Sequence, residues 1–94
     1  MAIGFMFDMP GITQQQYDAI MRELRLDQPN AEWPQGIICH VAGPIEGGWR
    51  VVDVWQSQEA AETFFRGRLA PAAQRAGIAP PQPSVFPVHN LHVS

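Results

Sequence analysis

Histidines and one strand carboxylate are the side chains of this sequence best suited to moving protons. Asp53 interrupts the apolar run Val51–Val54, and the histidines are His40, His89 and His92. A buried carboxylate requires a hydrogen-bonding partner or a raised pKa. Asp53 therefore either forms an ion pair or hydrogen bond at a subunit interface, or lies at a pocket floor and orients a histidine such as His40 or His89. The second alternative makes Asp53, His40 and His89 candidate catalytic residues for acid-base chemistry.

The spacing of the histidines argues against a metal site. His89 and His92 are three residues apart, so on a strand their side chains point to opposite faces. Cys39 and His40 are adjacent and diverge in the same way, and no second cysteine or carboxylate cluster stands near them. We expect no metal, and we expect Cys39 to be an unreactive buried thiol.

Three further side chains are candidates for ligand binding. Trp55 ends a predicted strand just before a helix, where a concave site can open, so it either forms one wall of a pocket or belongs to the core. Tyr17 either packs against Ile12 at the start of a helix or directs its phenol into a pocket. Asn90 follows His89 on a predicted strand, so one of the two faces each side and at least one should be buried.

Turn residues and apolar spacing divide the chain into six predicted elements. Thr13 and Gln16 form a capping box at the first helix, and Ser57 is a typical N-cap for the second. Pro71 should kink or restart that second helix, and Gly77 should end it. The predicted elements are a strand at Ala2–Asp8, a helix from Thr13 through Leu24, a strand at Gly36–Ala42, a strand at Trp49–Gln56, a helix at Ser57–Ala76 and a last strand at Val85–Val93. A hairpin turn at Gly43–Gly48 joins the second and third strands.

The order βαββαβ is typical of the ferredoxin-like α+β fold, in which two helices cover one face of a four-stranded antiparallel sheet. The strands read as nearly continuous apolar runs, which predicts that the second face is covered too. A second copy of the chain is the simplest cover, so we expect a homodimer joined through its sheet faces. Arg50 lies on the opposite face from Asp53 and would be a solvated or inter-subunit charge.

Composition excludes several classes of function. The 94 residues are enough for a single domain spanning residues 1–94. All six basic residues are arginines, and the net charge is -3. The sequence therefore has no basic tract that could bind nucleic acid or an anionic membrane. No apolar run is long enough for a transmembrane helix. The single cysteine and the absence of a signal-like N-terminus predict a cytoplasmic protein.

Several segments together resemble the dimeric α+β barrel superfamily, which includes the antibiotic-biosynthesis monooxygenases. These segments are MPGIT before the helix of Tyr17, GGWRVVDVWQS leading into the second helix, RLAPAAQRAG at the end of that helix, and VHN near the C-terminus. The resemblance implies two ferredoxin-like subunits that share a barrel, with a ligand pocket between the sheet and the helices of each. Haem-degrading members are similar to one another in a first-strand asparagine, a third-strand tryptophan and a helix-two histidine. Only Trp55 matches that set, so no haem and no other cofactor is expected.

Two functions follow as hypotheses. The first is a cofactor-independent monooxygenase with a pocket for a small aromatic molecule, in which His40, His89 or Asp53 removes a substrate proton before dioxygen reacts. The alternative is a non-catalytic dimer that binds a small ligand or has a structural role. The enzyme hypothesis predicts that Asp53, Trp55 and a histidine converge on one closed cavity, whose volume should be a few hundred Å³, about the lower range for ligand sites.

Overall fold

Four strands of this chain form one antiparallel sheet. The computed structural model describes residues 1–94 and contains β1 (Ile3–Pro10), β2 (Ile37–Ile45), β3 (Gly48–Trp55) and β4 (Ser84–Pro87). The strand order is β2-β3-β1-β4. Helix α1 (Gln14–Leu24) joins β1 to β2, and a second helical stretch joins β3 to β4. This is the predicted ferredoxin-like α+β fold.

The start of α1 has the predicted capping box. The Thr13 side chain accepts a hydrogen bond from the Gln16 amide, and the Gln16 side chain accepts one from the Thr13 amide. Three residues of α1 are buried, namely Ile20, Met21 and Leu24. They fall on one stripe of the helix, and that stripe packs against Ala72 and Ala73 of the second helical stretch.

The second helical stretch is built from three consecutive pieces. Helix α2 (Gln58–Phe64) begins at the predicted N-cap Ser57, a π-helical turn follows at Phe65–Leu69, and α3 (Ala70–Arg75) completes it. Pro71 lies in the first turn of α3, where its missing N–H is tolerated. The predicted kink or restart is therefore a wider turn immediately before the proline. Gly77 ends the stretch at a φ of 76°, as predicted.

The hairpin is tighter than the sequence indicated. β2 runs through Gly43 and Pro44 to Ile45, so the predicted six-residue turn is wrong and only Glu46 and Gly47 remain between the strands. Pro44 is compatible with a strand here because β2 lies at the edge of the sheet, where a missing N–H costs little. Gly47 has a φ of 77°, which a two-residue turn requires and glycine adopts readily.

The outer strands also end elsewhere than predicted. β1 continues beyond Asp8 to Pro10, because Met9 and Pro10 still pair with β3. β4 is an edge strand, as Pro87 suggested, but it stops at that proline, and the prediction that it reaches Val93 is wrong. Only one further backbone bond follows, from the Val88 amide to the Ala2 carbonyl at 2.9 Å.

The helices all cover one face of the sheet. The core there includes Phe5, Phe7, Val51 and Trp55 from β1 and β3, packed against Phe65 of the second helical stretch. No helix covers the other face, where Val41 and Phe86 are exposed. None of the helices combines the length and the apolarity that crossing a bilayer requires.

Candidate functional site

Three polar side chains form a continuous hydrogen-bonded chain on the helix side of the sheet. The Tyr17 hydroxyl lies 2.7 Å from Nε2 of His40, and Nδ1 of the same imidazole lies 2.6 Å from Oδ1 of Asp53. Tyr17 comes from α1, His40 from the edge strand β2 and Asp53 from β3. We call this set the relay, because a phenol, an imidazole and a carboxylate in that order can pass a proton.

A β-bulge places His40 on the same face as Asp53. The pairing of β2 with β3 shifts between Ile37 and Cys39, so Ile38 is an extra residue in the ladder. After the bulge, His40 stands directly opposite Asp53. Without it, Cys39 would occupy that position and His40 would point to the open face, because a one-residue slip reverses every side chain. The bulge is thus the structural cause of the relay.

Asp53 is almost entirely buried, and its partners explain how it is tolerated. One carboxylate oxygen accepts the bond from His40, and the Trp55 indole N–H donates to the other over a longer 3.4 Å. Trp55 itself is completely buried. Asp53 thus lies on the helix side of the sheet, with both of its side-chain partners within this chain.

The protonation state of the phenol gives the relay a direction. The pKa of Tyr17 is raised to about 12, mainly because burial disfavours the phenolate and also because the Asp53 and Asp18 carboxylates repel it. At neutral pH the hydroxyl therefore keeps its proton. If the imidazole is neutral and its hydrogen is on Nδ1, Nδ1 donates to Asp53 and Nε2 accepts from the Tyr17 hydroxyl.

The relay opens onto a small apolar cavity between the sheet and the helices. Its volume is about 60 Å³, and most of its 16 lining residues are hydrophobic. The polar members of the lining are the three relay residues, and the others are Phe7, Met9, Ile20, Met21, Leu24, Leu26, Trp33, Pro34, Ile37, Val51, Phe64, Leu69 and Pro81. The volume is below the predicted few hundred Å³, and it is less than half of the roughly 150 Å³ in which an apolar cavity holds benzene.

The connection between α1 and β2 contributes an aromatic side chain to the site. The indole ring of Trp33 lies with its centroid 5.1 Å from that of His40, at an interplanar angle of 45°. The Tyr17 ring lies near the same imidazole, with centroids 6.2 Å apart and planes nearly parallel. His40 therefore has the Trp33 ring as a close aromatic neighbour in addition to its two hydrogen bonds.

Solved structures with the same arrangement include oxygenase-related proteins. One is a provisionally assigned antibiotic biosynthesis monooxygenase from Chloroflexus aurantiacus, with a TM-score of 0.64 and 17% identity over 100% of both chains. Another protein so assigned, from Deinococcus radiodurans, has a TM-score of 0.62 and 9% identity, covering 100% of this chain and 98% of that one. A variant of SnoaB, a cofactor-independent oxygenase from Streptomyces nogalater, has a TM-score of 0.59 and 13% identity over 96% of this chain and 93% of that one.

This chain has the antibiotic-biosynthesis-monooxygenase-like fold. No protein-family model matches it, and no curated protein is significantly similar to it in sequence. At these identities the likeness to the solved structures is one of fold, so the residues of the site carry the argument about chemistry.

The structure brings together three of the six predicted site residues within this fold. His40, Asp53 and Tyr17 form the relay. Trp55 donates a hydrogen bond to Asp53 but does not line the cavity. His89 and Asn90 are exposed beyond the end of β4, so neither is buried in this chain, contrary to the expectation for adjacent strand residues. The candidate site is therefore built without them.

The sequence pattern does not indicate three of the residues that line the cavity, namely Trp33, Phe64 and Leu69. Trp33 lies between Pro29 and Pro34 in the connection before β2, and nothing in its local sequence indicates contact with His40. Phe64 and Leu69 both line the cavity although they are five residues apart. In an α-helix that spacing would separate them by about 140° around the axis, and the π-helical turn removes most of this difference. Pro71 was the available signal, because a proline within a helical pattern indicates irregular backbone before it.

Proposed function

We propose that this protein is a cofactor-independent oxygenase whose relay removes a proton from an acidic phenol or enol of a small aromatic substrate. The observation that carries the proposal is the convergence of Tyr17, His40 and Asp53 on an otherwise apolar cavity. Its fold is also that of SnoaB, which is a cofactor-independent oxygenase. The likeness in fold supports this reaction class, and the relay supplies the acid-base groups that the reaction needs.

The first step is a coupled movement of two protons. The substrate hydroxyl hydrogen-bonds to the Tyr17 oxygen and transfers its proton there, while the phenolic proton of Tyr17 passes to Nε2 of His40. Because the pKa of Tyr17 is about 12, a free phenolate is costly at neutral pH and the two transfers occur together. Asp53 stabilises the imidazolium that results, since its carboxylate lies 2.6 Å from Nδ1.

The second step is the reaction of the electron-rich substrate anion with dioxygen. A monooxygenase without an external reductant must draw all four electrons from its substrate. A CH₂ group activated by the anion can supply them by becoming C=O, with one oxygen atom in the product and the other released as water. The apolar lining excludes water from the anion, and His40 returns its proton to the departing oxygen.

Oxygen uptake tests this function. An anthrone is a suitable probe because its central CH₂ becomes acidic through enolisation, and quinols and flavonoids complete the panel. We expect uptake with at least one probe, and a decrease in kcat/KM of about 10²- to 10⁴-fold in His40→Gln and Tyr17→Phe, because each variant removes a proton-transfer group. Arg75→Gln is the matched control, since it breaks an exposed ion pair with Glu23 outside the cavity.

Isotopic labelling separates this reaction from simple oxidation. With labelled dioxygen, one labelled atom should appear in the product, whereas two-electron oxidation would leave the product unlabelled and release hydrogen peroxide. Full activity in both His40→Gln and Tyr17→Phe would refute the role of the relay.

The alternative is a protein that binds a small molecule without converting it. The mostly apolar lining of the cavity supports this alternative, because an apolar pocket with a few polar groups can bind a small molecule without any proton transfer. A thermal-shift screen with the same probes distinguishes the two. Ligand stabilisation without oxygen uptake would support binding alone, and its loss in Asp53→Ala would place the ligand beside the relay.

We also propose that the chain acts as a single domain within a homodimer joined through its sheet faces, which would form a shared α+β barrel. The open face carries exposed apolar side chains, with Val41 63% and Phe86 45% exposed. It also carries the ion pair of Arg50 with Asp8, whose Nε–Oδ1 distance is 2.6 Å. Light scattering should give twice the chain mass, and Val41→Asp should shift it towards the monomer. A monomer alone at micromolar concentration would refute the dimer.

A further inference from the structure

Trp33 closes the cavity beside the relay with an aromatic ring that is itself partly in solvent. Its side chain is 39% exposed, yet it also lines the cavity and contacts His40. A tryptophan that served only the core would be expected to be buried, as Trp49 and Trp55 are. Trp33 instead covers part of the imidazole, whose side chain remains 18% exposed.

The backbone that carries Trp33 is lightly held. Between α1 and β2, the residues from 27 to 36 form no helix or strand. Three backbone bonds hold this stretch: from the Ala31 amide to Gln28, from the Ile37 amide to Pro34 at a long 3.4 Å, and, at its C-terminal end, from the Gln56 amide to Gly36 at 2.7 Å. Segments with few backbone bonds open at low free-energy cost, so the indole can leave His40 without disturbing the sheet.

The cavity cannot admit an aromatic ring while Trp33 is in place. At about 60 Å³ it has room for a few water molecules and is well below the size of a benzene site. The relay nevertheless directs its phenol and imidazole into this space. If the indole of Trp33 moved away, the cavity would merge with the space that the indole had occupied. That space is large enough for two fused rings beside the imidazole, because the indole itself has two fused rings.

We propose that Trp33 occupies, in the free protein, the position of a planar fused-ring ligand on His40, and that such a ligand binds by displacing it. This inference rests on the proposed function in using the same cavity, and it adds the ligand class: a planar bicyclic or larger aromatic with an ionisable hydroxyl for Tyr17. The tilted indole of Trp33 therefore competes directly with any ligand ring that would lie against the imidazole.

Whether truncation of Trp33 strengthens or weakens ligand binding distinguishes a displaced side chain from an ordinary pocket wall. A side chain that forms a wall contributes affinity, so its truncation weakens binding. A side chain that competes for the position reduces the fraction of binding-competent protein, so its truncation strengthens binding. The ligand must break the contact between Trp33 and His40, and the free energy of such an aromatic pair opposes binding. We therefore expect Trp33→Ala to bind 2-naphthol about 2- to 10-fold more tightly than the unaltered protein.

Calorimetric titration of the full chain with 2-naphthol is the test. Trp33→Ala should bind most tightly and Trp33→Phe should be intermediate, because phenylalanine covers less of the imidazole. Glu32→Ala is the matched control, since Glu32 is the exposed neighbour in the same stretch and its loss should leave affinity unchanged. Free indole should bind Trp33→Ala, where it replaces the lost side chain, and should compete there with 2-naphthol.

A second measurement uses the unaltered protein and so does not depend on the folding of Trp33→Ala. Acrylamide quenching of tryptophan fluorescence should increase when 2-naphthol binds, and the increase should be absent in Trp33→Phe. Equal or weaker binding by Trp33→Ala, or quenching that falls on binding, would overturn the proposal. Tighter binding of 2-naphthol by Trp33→Ala without oxygen uptake by the protein would support displacement of Trp33 and refute the oxygenase. Oxygen uptake that depends on the relay, together with weaker binding by Trp33→Ala, would support the oxygenase and refute displacement of Trp33.

Discussion

The ionisation of Tyr17 offers a direct test of the environment around the relay. Tyr17 is the only tyrosine of the chain, so no second phenol interferes with its titration. Its pKa is raised from 10.0 to about 12, with burial as the main cause and the carboxylates of Asp53 and Asp18 as further causes. We predict that the folded protein keeps this phenol protonated until the pH approaches 12, whereas the unfolded chain loses the proton near pH 10.

The two pKa values also predict how stability depends on pH. Between them the folded protein binds a proton that the unfolded chain has lost, so the free energy of unfolding falls as the pH rises. A difference of two units corresponds to about 2.7 kcal/mol, and because Tyr17 is only partly buried, screening by solvent reduces this to about 1–2 kcal/mol. The stabilisation is fully present below pH 10 and is lost as the pH rises through 12.

A pH-jump experiment measures both quantities. Phenolate absorbance recorded before the protein unfolds gives the folded-state pKa, and urea titrations at each pH give the free energy of unfolding. Asp53→Asn should lower the pKa of Tyr17 more than Asp18→Asn does, and neither should restore it fully, because burial remains. Tyr17→Phe should show no phenolate signal. A folded-state pKa near 10 with unchanged circular dichroism would refute the argument from burial.

Three further predictions concern residues that shape the site. Gly48→Ala should reduce the free energy of unfolding by about 1–3 kcal/mol, because its Cβ would lie 2.4 Å from the Met9 carbonyl oxygen, whereas Gly43→Ala meets open space and should be nearly neutral in urea titrations. Trp55→Phe removes a buried donor to Asp53 and should cost about 1–3 kcal/mol in the same assay, with oxygen uptake reduced less than in His40→Gln. Deletion of Gly67 should convert the π-helical turn to an α-helix, leaving the protein folded by circular dichroism but weakening 2-naphthol binding at least about tenfold.

Most of the fold could be predicted because its signals are local. The capping box at Thr13 and the N-cap Ser57 each depend on a few neighbouring residues, and both are confirmed. The predicted strand boundaries are wrong where the position of a strand within the sheet determines whether a proline can be included. Pro44 fits within β2 only because that strand is at an edge, and β4 ends at Pro87 because its ladder to β1 requires donors that proline lacks.

The candidate site was predictable in its residue types and less so in its geometry. Asp53 was identified because a carboxylate in an apolar strand requires a partner, and alternation along one strand gives its face directly. The choice of His40 over His89 depends on the bulge at Ile38, which shifts the register between two strands and leaves no distinctive local pattern. The contact of Trp33 with the imidazole is set by the path of an irregular connection, which residue spacing does not encode.

The π-helical turn at Phe65–Leu69 allows the residues that face the cavity to change without changing how the flanking helices pack. In a regular helix, an inserted residue rotates every later residue around the axis, so a change that improved the cavity would disrupt the core. Here the additional residue is absorbed within one turn, and α2 and α3 keep their packing against the sheet and α1. The shape of the cavity can therefore change by insertion or deletion in this turn during evolution, while the scaffold that holds the relay stays the same.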